Sequence, residues 1–285
     1  MSRFSLDTLE LVSSTFVTPR RPLPYGDTAN REWLWDLMSR HPDALEALGA
    51  SDGVGLHGST PAACRMMWRV LVDLRTDKLD GFLWKVRAHT NHKIVAVIDT
   101  STLVRPQALD AIIRFQKGYG GEKSRHPFKL REIVKKTLEA PDPTPWCNVA
   151  VKLLDGDFGL PKPKLGEWLA ADYHKSCAWG REEQATRNAA ALLDALAPLG
   201  IRADKPEYNF LAEAARNYWT NRSRAGLVEV LVERGADWKA ELARTDTMHS
   251  MRVALAEHPV IRKMRLMEVV ESHPAPRQDR ERPKF

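Results

Sequence analysis

Cysteine is scarce: Cys64, Cys147 and Cys177 are the three in 285 residues. An odd count spread over so long a chain excludes a disulfide framework as the main source of stability, and a reducing, cytoplasmic setting is the expectation. Long apolar runs are missing too. None approaches the roughly 18 residues that cross a bilayer, so no membrane partner is expected. Charged residues at Arg3, Asp7 and Glu10 break up the start of the chain, which therefore lacks a secretory apolar segment. No Gly-x-Ser-x-Gly elbow and no dinucleotide-binding glycine fingerprint occur, and the loop with Gly49, Gly53, Gly55 and Gly58 lacks the lysine–hydroxyl pair of a phosphate loop. No cofactor is expected.

What remains is an ordinary globular composition. Hydrophobic residues make up 43% and charged residues 28%, which excludes wholesale disorder. The length suits one large domain or two modest ones. A net charge of +6 is compatible with a polyanionic partner without demanding one. Nine tryptophans are spread from Trp33 to Trp238, which reads as anchors along an extended core rather than one aromatic cage.

Apolar spacing and proline placement divide the chain. Residues 1–28 carry Pro19, Pro22, Pro24 and Gly26 and read as an irregular arm. Residues 29–139 read as mainly helical, with a face at Trp33, Leu34, Leu37 and Met38 and starts at Thr60-Pro61, Asp77, Pro106 and Pro127. Ile94–Ile98, an apolar run with three β-branched residues, is the buried-strand candidate. Three prolines within residues 140–145 mark a linker. Beyond it, 140–272 reads as helical repeat, with segments near 146–154, 165–176, 183–199, 207–218, 223–234, 246–257 and 259–271. The polar stretch 273–285 reads as a disordered tail.

The repeat is explicit. Leu192-Leu193-x-x-Leu196-x-x-x-Gly200 recurs as Leu227-Val228-x-x-Leu231-x-x-x-Gly235, an offset of 35 residues. Each copy is an apolar helical stripe ended by a glycine suited to the left-handed conformation. Units of this length bury their apolar face only by stacking on a neighbour. Gly226 to Asp237 resembles the second helix and Gly-Ala-Asp turn of an ankyrin repeat. Phe210 to Asn217 resembles its first helix, and Thr144-Pro145-Trp146 is similar to its Thr-Pro-Leu-His start. The spacing is 35 rather than 33, and no copy carries the full motif. The resemblance implies a mainly α fold of stacked helical hairpins, a surface that recognises proteins, and no catalytic residues.

Two further signals concern nucleic acid. From Gln116 to Lys136, seven basic residues (Lys117, Lys123, Arg125, Lys129, Arg131, Lys135 and Lys136) stand against two acidic ones, with Phe115, Tyr119 and Phe128 interleaved. Basic side chains release counterions from phosphates and aromatics stack on unpaired bases, so this mixture suits a single-stranded polyanion. Val97 to Val104, containing Asp99, is similar to the opening strand of PIN-domain ribonucleases. That resemblance implies a metal-binding carboxylate at Asp99, with Glu132, Asp194 and Asp204 in plausible order as further ligands. The alternative for Asp99 is a turn cap assisted by Thr100 and Ser101. His89-x-x-His92 and His174-x-x-Cys177 have ligand spacing, but neither pair alone completes a four-ligand site. The kinase-like Val149-Ala150-Val151-Lys152 and Asp157-Phe158-Gly159 lie too close together for kinase chemistry.

The expectation is a non-catalytic scaffold that recognises a protein complex, aided by the basic segment. A PIN-like metal-dependent ribonuclease using Asp99 is the alternative.

Overall fold

The computed structural model describes residues 61–74, 76–89, 94–118, 130–156, 162–220, 225–244 and 248–272. The expected arm 1–28, the helical face at Trp33–Met38, the glycine loop 49–58 and the tail 273–285 lie outside the described residues. Among the described residues every regular element is helical and there is no strand. The chain divides into two compact units. One holds Met1–Ile133 and Thr144–Leu160, the other Val134–Pro143 and Pro161–Phe285.

The first unit contains α1 (Pro61–Leu74), α2 (Leu79–His89), α3 (Ile94–Val97) and α4 (Pro106–Gly118). It also takes the first turn of α5 (Leu130–Glu139) and all of α6 (Thr144–Asp155). Prolines open α1 and α4, where a missing N–H costs nothing. Trp68 is fully buried and donates to Thr102 Oγ1 at 2.8 Å. α2 packs on α1 and α4, with Trp84 edge-on to Phe115 at 5.0 Å.

The strand expected at Ile94–Ile98 is instead the single helical turn α3 followed by a bend. β-branched residues favour strands because they fit a half-buried pleated surface, and no neighbouring strand is offered here. α3 lies against α1 and α2, which bury Val97 and Ile98, while Arg65 donates to the Ala96 carbonyl at 2.7 Å. Tertiary packing overrides local preference.

The second unit is built from α7 (Leu165–Ala178), α8 (Glu182–Leu196), α9 (Phe210–Thr220), α10 (Gly226–Glu233), α11 (Trp238–Ala243), α12 (His249–Ala256) and α13 (Pro259–Ser272). α7 packs on α8 and α9, and α9 packs on α10 and α12. α8 packs on α10, and α10 on α13. The 35-residue repeat falls on α8 and α10, which lie against one another. Leu192, Leu193 and Leu196 are buried on the first, Leu227, Val228 and Leu231 on the second. Gly200 and Gly235 end these segments with φ of 76° and 84°, the region that favours glycine.

The pattern fades where α11 is inserted. Asp237 of the Gly-Ala-Asp turn caps that helix, accepting from the Ala240 N–H at 2.9 Å. Its six residues are too few for a legible apolar period, and sequence reading missed it.

Residues 134–143 join this unit through two amides one turn apart on α8. Gln184 Nε2 donates to the carbonyls of Glu139 and Ala140 at 3.0 and 2.7 Å. Asn188 Nδ2 faces those of Thr137, Leu138 and Ala140 at 2.8–3.1 Å. Pro141 and Pro143 prevent α5 from continuing, so its last carbonyls need outside donors, and these side chains supply them.

Candidate interaction surface

The basic segment is only partly described. Lys117 is exposed in the last turn of α4, while Lys123, Arg125 and Lys129 lie outside the described residues. On α5, Leu130, Ile133, Val134 and Leu138 are buried. Arg131 and Lys135 are exposed and Lys136 is half-buried on its other sides. Lys135 reaches Glu139 one turn on, at 3.8 Å, so part of its charge is answered within the helix.

Asp99 holds the cap position of the 3₁₀ turn Thr100–Val104. Its side chain accepts from the Ser101 N–H at 3.0 Å and pairs with Arg69. Thr102 Oγ1 donates to the Asp99 carbonyl at 2.7 Å. Burial alone pushes the Asp99 carboxyl up, but the Ser101 hydrogen bonds and the Arg69 guanidinium together outweigh it and hold it below the ordinary carboxylate range. Both oxygens already have partners, and the strand that the ribonuclease resemblance needs is α3. Asp194 pairs with Arg234 at 2.7 Å, and Asp204 with Arg202 at 3.0 Å. Among the described residues no three His, Cys, Asp or Glu side chains gather as metal ligands.

His92 lies outside the described residues. His174 and Cys177 are both half-buried on α7. Burial pushes the Cys64 thiol up to about 11, so it is a poor nucleophile at neutral pH. Lys152 of the kinase-like run pairs with Asp110 at 3.0 Å.

The tryptophans are not all anchors. Trp68 and Trp238 are buried, but Trp84, Trp179 and Trp219 are exposed. Trp179 caps the end of α7 and is 80% exposed; Trp219 is the last residue but one of α9 and is 38% exposed. Gly166 at the start of α7 abuts Tyr208–Phe210 at the start of α9, and the two helices pack on one another. Trp179 and Trp219 stand at the carboxyl ends of these two helices. Composition counted these residues but could not tell which face water.

Part-buried polar contacts also hold these helices. Thr186 Oγ1 gives its proton to the Glu182 carbonyl at 2.8 Å, so the Tyr173 hydroxyl is the donor in their 2.8 Å bond. Burial pushes the Tyr173 phenol well above its ordinary value, so it stays protonated. Gly226 at the start of α10 lies close against both: a Cβ there would come within 2.6 Å of Thr186 Oγ1 and 2.7 Å of the Tyr173 hydroxyl.

His258 closes the same unit. It is 1% exposed, lies edge-on to Tyr218 at 4.6 Å, and its Nδ1 accepts from the Val260 N–H at 3.2 Å. Nε2 must then carry the proton donated to the Ala225 carbonyl at 3.2 Å. Burial pushes its pKa below the usual 6.5, with the Ala225 carbonyl acting in the opposite sense. The folded state thus binds fewer protons than the unfolded one. This contribution to stability is complete above pH 6.5 and is lost as pH falls through the folded-state value. The urea midpoint is expected to fall between pH 7.5 and 5, and His258→Gln, whose amide can both donate and accept, to lose part of that dependence. An equal pH slope in the variant would mean that His258 is not the group that titrates.

Compared with family models, curated proteins and solved structures, the chain matches none.

Proposed function

We propose that the chain is a non-catalytic binding scaffold whose second unit is a degenerate ankyrin-like stack of helix pairs. The order of packing supports this reading: α7, α9 and α12 follow one another on one side, and α8, α10 and α13 on the other. Stacked hairpins have this pattern, each unit burying its apolar face on the next.

The observation that carries the binding role is the exposure of two indoles, Trp179 and Trp219, at the carboxyl ends of helices that pack on one another. Tryptophan is among the residue types most often responsible for binding energy at protein interfaces, and leaving Trp179 almost wholly in water has no folding advantage. The partner is a protein complex that seats both indoles. The basic side chains from Lys117 to Lys136 add affinity for an anionic component, by charge rather than sequence.

The test uses the full chain as bait, with Trp179→Ser/Trp219→Ser as comparison. Trp179 is largely exposed and Trp219 about one-third, so the variant should keep its circular dichroism while its urea midpoint falls by the packing that Trp219 loses. A partner retained by wild type is expected to fall about tenfold or more in the variant. Equal retention would refute the role of the two indoles. A salt titration on a single-stranded oligonucleotide checks the basic segment. Replacing Lys123, Arg125, Lys129 and Arg131 with Ser should flatten the slope, and coincident slopes would leave the segment as a solvated face.

A further inference from the structure

α13 ends the described stack with the wrong kind of surface. A terminal helix is expected to turn a polar face outward. Here Ile261 is the one buried residue, and every residue from 262 to 272 is exposed. Leu266 is 66%, Met267 48% and Val270 70% exposed.

The helical period sorts the residues. At about 100° per residue, Ile261 and Glu268 point one way, and Lys263, Leu266, Met267 and Val270 the other. The first side is occupied: α13 packs on α10 and α12, and Glu268 pairs with Lys239 of α11 at 2.7 Å. The second side is an open groove edged by Arg262, Lys263 and Glu271. The apolar seam is therefore continuous, unpartnered within the described residues, and opposite the side that holds the helix to its unit.

Charge along the seam selects an occupant. Arg262 and Lys263 lie at its amino end, and Glu271 at its carboxyl end. Lys263 and Glu271 stand four residues to either side of Met267. We propose that this seam is the contact through which two copies of the chain associate, with the α13 helices antiparallel and crossing at Met267. In that arrangement each Lys263 is level with Glu271 of the second copy, and Leu266, Met267 and Val270 of both copies bury one another. A two-fold axis through the crossing repeats the ion pair, so one helix supplies both halves of a self-complementary surface. A parallel pair would set Lys263 on Lys263 and Glu271 on Glu271. The surface is short, so association depends on concentration.

The experiment is sedimentation equilibrium of the full chain over a wide range of concentration. Wild type is expected to rise from 32.3 kDa toward twice that mass. Leu266→Ser/Val270→Ser, changes in largely exposed side chains, should stay monomeric with unchanged circular dichroism. Lys263→Glu should weaken association about tenfold, since two attractive pairs become repulsive. Lys263→Glu/Glu271→Lys should restore it to within about twofold. A wild-type protein that is monomeric throughout overturns the proposal. So does a dimer that survives Leu266→Ser/Val270→Ser, or one indifferent to Lys263→Glu. A dimer weakened by Lys263→Glu but not rescued by the charge exchange overturns the antiparallel crossing.

Discussion

Asn188→Asp is expected to unfold the second unit at a much lower urea concentration than wild type. Asn188 is 2% exposed, and its amide faces three carbonyl oxygens at 2.8–3.1 Å. Aspartate has nearly the same shape but no hydrogens to offer. Its oxygens would face three carbonyl dipoles, and the carboxyl would have to be buried charged or take up a proton. Leaving such acceptors without donors costs about 1–3 kcal/mol, and burying an uncompensated charge about 3–5 kcal/mol. Against a total stability of about 5–15 kcal/mol, either is a large fraction. Asn188→Ala should show the smaller loss, because it removes donors without adding charge, and Gln184 still serves Glu139 and Ala140. Urea unfolding followed by circular dichroism checks the order wild type, Ala, Asp. An Asp variant as stable as wild type would mean that this amide does not tie α5 to α8.

The second large effect is a matched pair of glycine substitutions with opposite signs. Gly166→Ala is expected to destabilise by about 2–3 kcal/mol. An added Cβ would lie 2.1 Å from the Tyr208 carbonyl oxygen and about as close to backbone as 3.0 Å at Phe210 N. These are main-chain atoms at the turn where Asn209 sits at φ 50°, so no side chain can swing aside. The clash forces α7 and α9 apart. Gly81 lies in α2 and is exposed, with nothing within 4 Å of its added Cβ. There the same change gains helix propensity, about 0.5–1 kcal/mol. Urea midpoints of the two variants should move in opposite directions from wild type. A shift of both in the same direction would contradict the close approach at Gly166.

These positions also show what sequence could and could not reveal. Helix starts at Pro106 and Thr144-Pro145 were legible, because proline fixes φ and forfeits a donor wherever it stands. So were the second-unit helices from Leu165 to Ser272 other than α11, because their apolar stripes persist for two turns or more. Gly200 and Gly235 announced helix ends through a purely local conformation. Gly166, Asn188 and Trp179 announced nothing. The first two act on residues about 44 and 50 positions away in the chain, and Trp179 is notable for being left largely exposed; spacing within a window reports neither. Ile94–Ile98 misled for the same reason: a β-branched run needs neighbouring strands to become one, and its neighbours are helices. Asp99 was legible in both its readings, and the one with local chemistry, the cap over Ser101, is the one found.

In the second unit α7 lies against α9 and α9 against α12, while α8 lies against α10 and α10 against α13. Two close approaches define that arrangement: Gly166 with Phe210, and Gly226 with Thr186. Nuclear Overhauser spectroscopy of the full chain, with these four residues assigned, tests it directly. Strong cross-peaks are expected from the Gly166 α protons to the Phe210 amide, and from the Gly226 α protons to the Thr186 methyl. Assigned spectra lacking both would contradict that arrangement.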